Sequence, residues 1–294
     1  MKIFRDNEEK TGYVLIAPAV LLIVLLIGYP LGYSVFLSFT NSIVGKIGTF
    51  AGFANFANLL KSPVFLRVLI NSVIFTIGSI IPKVVIGTSI ALLIKSSLGR
   101  WSRFLKGAIM LPWVVPTSLS ALAWWWMFNP LFSVLNWVIK KIFLSSKGIP
   151  WLSDTVWAMF SVILVDVWRG VPFFAISILA GLVSIDEEIY EAADTDGANG
   201  MQKFFRITLP LLKPVMAVVL LFSTVMTISE FNIIYLITGG GPRYSTHLLA
   251  TFAFQEGLST GNLSRGVAIS LFVFPILFIA SYFQIRIVRK DVRK

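Results

Sequence analysis

The sequence predicts an all-α membrane protein: six transmembrane helices joined by loops, with a helix–turn–helix projecting from one face. Three observations carry this. Hydrophobic residues make up 56% of the 294 residues and charged residues 13%, about half the charged share of a soluble domain. The charges sit between long uncharged stretches such as Thr11 to Gly45, Gly107 to Ile139 and Gly266 to Ile285. One segment, Ser184 to Gly197, breaks the pattern, with eight of its fourteen residues charged, Ser or Thr. This composition excludes a soluble enzyme and a disordered chain. No cysteine and a single histidine exclude disulfides, thiolate metal or iron–sulfur sites, a thiol nucleophile and a multi-histidine metal site.

A spanning helix needs about 20 mostly apolar residues. The first span is predicted at 13–37. Its basic lead (Lys2, Arg5, Lys10) raises the possibility of a signal peptide, but the apolar run is too long and no small-residue cleavage site follows, so it reads as an uncleaved span. The second, 68–94, is interrupted only by Pro82-Lys83. The third is 105–128. The fourth, 155–182, holds Asp166 and Arg169, and the fifth, 210–237, holds Glu230. The sixth is 264–286. Without a long soluble insertion, low-complexity tract or internal repeat, residues 1–294 read as a single transmembrane domain.

The basic residues set the orientation. Fifteen fall with the N-terminus, the loop after span 2 (Lys95, Arg100, Arg103, Lys106), the loop after span 4 (Lys203, Arg206, Lys213) and the tail (Arg286, Arg289, Lys290, Arg293, Lys294). Eight fall on the other side: Lys46, Lys61, Arg67, Lys140, Lys141, Lys147, Arg243 and Arg265. The positive-inside rule then places both termini in the cytoplasm. Topology and anionic lipid headgroups account for the +11 net charge, so nucleic acid is dropped as a partner. Trp124, Trp125, Trp126 and Trp137 crowd the outer end of span 3 and read either as an interfacial belt or as sugar-stacking rings.

The polar loop 184–209 carries the strongest signal. Ser184 and Glu187 have capping-box spacing and the first turn is acidic, so a short helix is expected from about Ile185, ending near Ala192 and Ala193. Gly197 supplies a turn with positive φ. A second short helix follows from about Asn199 to Arg206, and Pro210 opens span 5. Small Ala192, Ala193 and Gly197 leave backbone accessible, and Phe204 and Phe205 offer apolar anchors. The pattern suits docking into another protein or an amphipathic loop resting on the membrane.

Glu191-Ala192-Ala193, then Gly197, Ile207 and Leu209-Pro210 at fixed spacing resemble the EAA loop of ABC importer permeases. Tyr29-Pro30 with Ser34 to Thr40, Gly52 to Phe56, Leu111-Pro112, Val167 to Phe173 and Thr238 to Pro242 resemble the first permease of carbohydrate importers. The likeness is strongest to the maltose, trehalose and glycerol-phosphate group and covers nearly the whole chain. Asp186 stands where that family often has proline.

The resemblance implies a type I importer permease in the cytoplasmic membrane of a bacterium or archaeon, with no bond-making catalysis of its own. Coupling to two ABC ATPase subunits would fall to Glu191, Ala192, Ala193, Asp196, Gly197, Phe204, Phe205, Ile207, Leu209 and Pro210. A second, different permease chain and an extracytoplasmic binding protein complete the set. ATP and Mg²⁺ belong to the ATPases. Independently, the chain lacks a P-loop, its only Gly-Lys pair being Gly45-Lys46.

Polar residues at membrane depth mark a pathway or a pair inside the bundle. Asp166 and Arg169 share a face and read as an internal ion pair or as pathway residues. Lys83, after Pro82, is expected to find a carbonyl or carboxylate. Ser223, Thr227 and Glu230 form one stripe facing a water-filled cavity or another helix. The family places the sugar between the spans flanking the EAA loop, which nominates Trp168, Phe173, Phe174, Ser223, Thr227 and Glu230. Gly239 to Pro242 reads as a flexible outer turn touching the binding protein. The cargo expected is a di- or oligosaccharide, with glycerol 3-phosphate as alternative. An ion-coupled carrier and an intramembrane enzyme are the competing classes.

Overall fold

The computed structural model describes residues 2–96, 100–143 and 148–292. Lys147, Arg293 and Lys294, which enter the charge tally, lie outside the described residues. Helix dominates. In chain order the helices are α1 (Lys2–Ile23, continuing through a π segment, Val24–Gly28, into Tyr29–Ser38), α2 (Ala54–Leu60), α3 (Pro63–Ser96), α4 (Arg100–Val114) and α5 (Thr117–Phe128). Then come α6 (Val134–Phe143), α7 (Thr155–Val183), α8 (Glu187–Thr195) and α9 (Gly200–Lys203, π segment Phe204–Thr208, Leu209–Ile228). The last are α10 (Asn232–Ile237), α11 (Leu249–Phe254 into π segment Gln255–Ser259), α12 (Leu263–Leu271) and α13 (Val273–Val292).

Among the described residues, five helical stretches are long and apolar enough to cross a membrane, and six if the α4–α5 pair is one bent span. That pair differs from the straight third span expected at 105–128. It turns by 88° between Val114 and Thr117. Pro116 sits in extended geometry (φ −52°, ψ 136°), because proline lacks the N–H a helix needs and its ring disfavours helix in the preceding residue.

The fifth span also departs from 210–237. It begins at Gly200, with no break at Pro210, and ends at Ile228. The second helix of the polar loop and the span are therefore one rod. The π segment makes this possible: Leu209 N–H donates to Phe204 O, five residues back, and the widened turn accommodates the proline that follows. α1 repeats the device, with Tyr29 N–H donating to Val24 O just before Pro30. At the other end, the Glu230 carboxylate accepts the Ile233 N–H at 3.0 Å and starts α10, so helix does not continue through 229–231.

The described chain gathers into two compact units, one from Met1–Lys61 with Ala253–Leu271, the other from Ser62–Phe252 with Phe272–Lys294. In the first, a hydroxyl cluster pins α12 to the loop after α1. Ser264 Oγ lies 2.9 Å from Thr40 Oγ1 and accepts the Ser42 N–H at 2.8 Å. In the second, α3 and α7 make the most extensive helix contact. Glycine permits their approach: a Cβ on Gly87 would stand 2.5 Å from Phe174 Cβ, the small-residue packing that suits helices lacking a hydrophobic drive between them.

The Gly239–Pro242 segment, expected as a flexible turn, is tied into the fold by hydrogen bonds. Thr238 Oγ1 and Thr246 Oγ1 lie 2.7 Å apart, and Thr246 Oγ1 donates to Gly241 O at 2.8 Å. Asn71 of α3 donates to Tyr244 O at 2.8 Å. His247 is buried, lies directly against Gly240, and contacts Thr251 Oγ1 at 3.2 Å. Gly240 holds φ +88°, a conformation glycine adopts without cost, and that leaves room for the imidazole.

Candidate functional site

Within the second unit, α3, α7 and α9 meet around buried charge. Lys83 is 3% exposed and Asp166 6%. Their Nζ and Oδ2 lie 2.6 Å apart, and the same ammonium donates to Thr227 Oγ1 at 3.1 Å. The lysine stem runs directly over Gly170, where an added Cβ would collide with it. Proline at 82 does not interrupt α3, so Lys83 projects at a fixed height toward α7. Asp166 is thus the carboxylate that Lys83 was expected to find, and of the two readings of Asp166 and Arg169 the internal pair along one helix does not form among the described residues.

This ion pair forms one wall of a cavity of about 310 Å³. Phe173, Phe174, Ser223, Thr227 and Glu230, five of the six residues nominated for the pathway, line it. Trp168 does not; its indole packs edge-on against Trp124 at 5.6 Å. Trp124 thus turns inward, whereas Trp126 and Trp137 are each 62% exposed. Arg169 also lines the cavity, and its Nε is buried without a hydrogen-bond partner.

Trp113, Thr117, Gly170, Phe222 and Met226 complete the lining and are not nominated by the sequence. Trp113 stacks on Phe173 at 5.3 Å with 17° between ring planes. Trp113 and Thr117 flank the Pro116 break, which turns residues from both sides of the bend toward one space. The signal for them was the proline itself. Phe222 and Met226 each adjoin a member of the Ser223–Thr227 stripe. A larger depression of about 970 Å³ beside Leu66, Ile70, Ile74, Val156, Phe160 and Ile163 is dominated by aliphatic and aromatic side chains. The smaller cavity is the one with converging polar groups on an aromatic wall, the composition of a small-molecule site.

The polar loop forms a second candidate site. α8 begins at Glu187, two residues later than expected, and the Ser184–Glu187 capping box is absent: Ser184 Oγ donates to Gly181 O at 2.8 Å and closes α7 instead. The capping box lies at the other helix. There Asn199 Oδ1 accepts the Gln202 N–H and Gln202 Oε1 accepts the Asn199 N–H, each at 2.9 Å. Gly197 turns the chain at φ +77°.

Three contacts brace α8. Asp194 pairs with Lys203 at 2.6 Å. Tyr190 Oη lies 3.0 Å from buried Thr208 Oγ1. Lys95, at the end of α3, sits 4.5 Å from the Tyr190 ring centroid and donates to Leu182 O at 3.2 Å. The braced helix exposes Glu191 and Ala192, and the turn after it exposes Asp196 and Gly197, while Ala193 is buried and makes the inner face. Phe205 is exposed and Phe204, in edge contact with it at 5.1 Å, is half-buried. Ile207 and Leu209 are half-buried and Pro210 is exposed.

Known proteins of similar sequence and fold identify the family. A family model described as binding-protein-dependent transport system inner membrane component matches residues 83–294. The chain is 35% identical over 286 residues to the sulfoquinovosyl glycerol transport system permease SmoG of Agrobacterium fabrum, covering 96% of this chain and 92% of that one. It is 32% identical over 288 residues to the trehalose/maltose transport system permease MalF of Thermococcus litoralis, covering 97% and 96%. In fold it matches a chain of a bacterial ABC transporter involved in import of the acidic polysaccharide alginate, with TM-score 0.82, 21% identity and 99% of each chain covered.

Proposed function

Because the chain belongs to the family of inner membrane components of binding-protein-dependent transport systems, we propose that it is one permease half of an ATP-driven carbohydrate importer, its whole length acting as one transmembrane domain. It is a multi-pass membrane protein and not itself an enzyme. The cargo is a di- or oligosaccharide. It arrives on an extracytoplasmic binding protein and passes between this chain and a second, different permease. Both termini lie in the cytoplasm, following the basic residues. Two ATPase subunits bind the ATP and Mg²⁺.

The observation that carries this reading is the braced loop. A nine-residue helix, α8, exposes Glu191 and Ala192 and runs into the exposed turn at Gly197, while Tyr190 and Ala193 hold its inner side and Asp194 ties it to Lys203 at the start of α9. A segment so fixed transmits a push, which an unanchored amphipathic loop would not. Glu191 faces the ATPase, Gly197 makes the turn, and Phe205 seats in the partner. Ala193, Ile207 and Leu209 hold the shape from inside. When ATP closes the ATPases, α8 moves with them, and α9 carries the displacement to the cavity because loop helix and span are one rod. Alternating access follows from opening that cavity to one side and then the other.

The test is purification of this chain from its own membranes in detergent, with mass spectrometry of what remains bound. Co-purification of an ATPase and a second multi-span chain, with ATPase stimulation by a loaded binding protein, is the expected outcome. A chain that purifies alone and transports in vesicles without ATP would replace this reading with an ion-coupled carrier.

A further inference from the structure

We propose that the cavity between α3, α7 and α9 takes an uncharged polyhydroxylated ring, and that Arg169 and Glu230 are the residues that discriminate against acidic sugars. This rests on the permease reading above and names the chemical class of its cargo.

Four ionisable side chains line the cavity, two of each sign: Lys83 and Arg169, Asp166 and Glu230. Lys83 and Asp166 satisfy each other at 2.6 Å. Arg169 and Glu230 do not. Among the described residues Arg169 forms no ion pair, and its Nε is buried without a partner. Glu230 uses one oxygen to cap α10 through the Ile233 N–H and forms no ion pair either. An arginine and a carboxylate left open at membrane depth are costly unless something completes them.

A guanidinium only donates and a carboxylate only accepts. A ligand that completes both must offer an acceptor to one and a donor to the other. A hydroxyl does both, and a ring with several hydroxyls bridges the two groups without adding charge. A carboxylate, sulfonate or phosphate satisfies Arg169 but brings like charge toward Glu230 and offers it no proton. The stacked Trp113–Phe173 pair supplies a flat apolar surface for the C–H face of such a ring. Two positive and two negative groups leave no formal net charge to draw an anion in.

The experiment is equilibrium dialysis of the detergent-purified complex containing this chain against labelled neutral trisaccharides (maltotriose and N,N′,N″-triacetylchitotriose) and trigalacturonate. At least one neutral trisaccharide is expected to bind saturably, and trigalacturonate at least about tenfold more weakly. Arg169→Gln and Glu230→Gln should each weaken neutral binding by about tenfold or more, the usual cost of losing a hydrogen bond to a charged group. Glu230→Gln keeps an oxygen for the Ile233 N–H, so α10 stays capped. That variant should also narrow the gap to trigalacturonate, because the cavity then carries net positive charge. Arg169→Lys should bind within a few-fold of the unmodified protein. Trigalacturonate binding equal to or tighter than the neutral sugars, unchanged affinity in both glutamine variants, or binding of none of the probes would overturn the proposal. ATP-dependent uptake by the same complex would leave the permease reading standing in each of those cases. Absence of an ATPase from the complex would count against that reading instead.

Discussion

Replacing Lys83 by methionine tests how the bundle is held together. The side chains of Lys83 and Asp166 are 4% and 8% exposed, and their charged atoms lie 2.6 Å apart. Among the described residues the Asp166 carboxylate accepts no other hydrogen bond. Methionine fills nearly the same volume, so Lys83→Met creates little cavity and removes chiefly the ammonium. It leaves a carboxylate buried between α3 and α7 and also removes the donor to Thr227. Breaking one side of a buried pair costs about 3–5 kcal/mol, because the remaining charge is uncompensated. Replacing both partners by apolar residues of similar size is nearly neutral. The double variant Lys83→Met/Asp166→Leu should therefore recover most of what the single variant loses.

The assay is reversible unfolding in mixed micelles, read as a double-mutant cycle. A single variant within about 1 kcal/mol of the unmodified protein would refute the reasoning. So would a double variant as unstable as the single, since the loss would then not come from the orphaned carboxylate.

Other outcomes follow from the same geometry. Glu191→Ala, at an exposed position, should leave stability within about 0.5 kcal/mol and abolish uptake; normal transport would sink the coupling role of the loop. Gly197→Pro should also stop uptake while the protein remains in the membrane, because proline cannot reach φ +77°. Tyr190→Phe removes the contact to Thr208 but keeps the ring beneath Lys95, so ATP hydrolysed per sugar imported should rise, and an unchanged ratio would show that the brace does not transmit force. Burial lowers the pKa of His247 from 6.5 to about 4. The unfolded chain therefore binds the extra proton between those values, and stability should be full above pH 6.5 and fall by about 2 kcal/mol at pH 5. His247→Gln should flatten that slope in unfolding measurements; an equal slope in both proteins would assign it elsewhere.

Much of the fold is legible in local sequence for a simple reason. A bilayer demands about 20 apolar residues in a row and a bias of basic residues to one side, and both are properties of neighbours along the chain. The polar loop was visible on the same grounds, with Gly197 predicting its turn. Local capping logic was less secure. Ser184 has the right spacing to Glu187 yet serves the end of α7, while Asn199 and Gln202 form the box. Either helix end can use a hydroxyl, and spacing alone does not choose between them.

Hydropathy also passes smoothly over breaks. Val115-Pro116 and Ser229 to Phe231 lie in apolar surroundings, but a missing N–H at Pro116 and a competing carboxylate at Glu230 end the helices there. What the sequence determined by itself was the class of molecule, the approximate position of its membrane helices and a loop shaped for docking. The tertiary structure decided the partners of the buried charges. Asp166 has Arg169 three residues away on its own helix but pairs with Lys83, 83 residues distant, which also reaches Thr227 across 144 residues. Such pairing depends on how glycines at 87 and 170 let helices and a lysine stem approach. That is a property of packing in three dimensions, to which periodicity along one helix is blind.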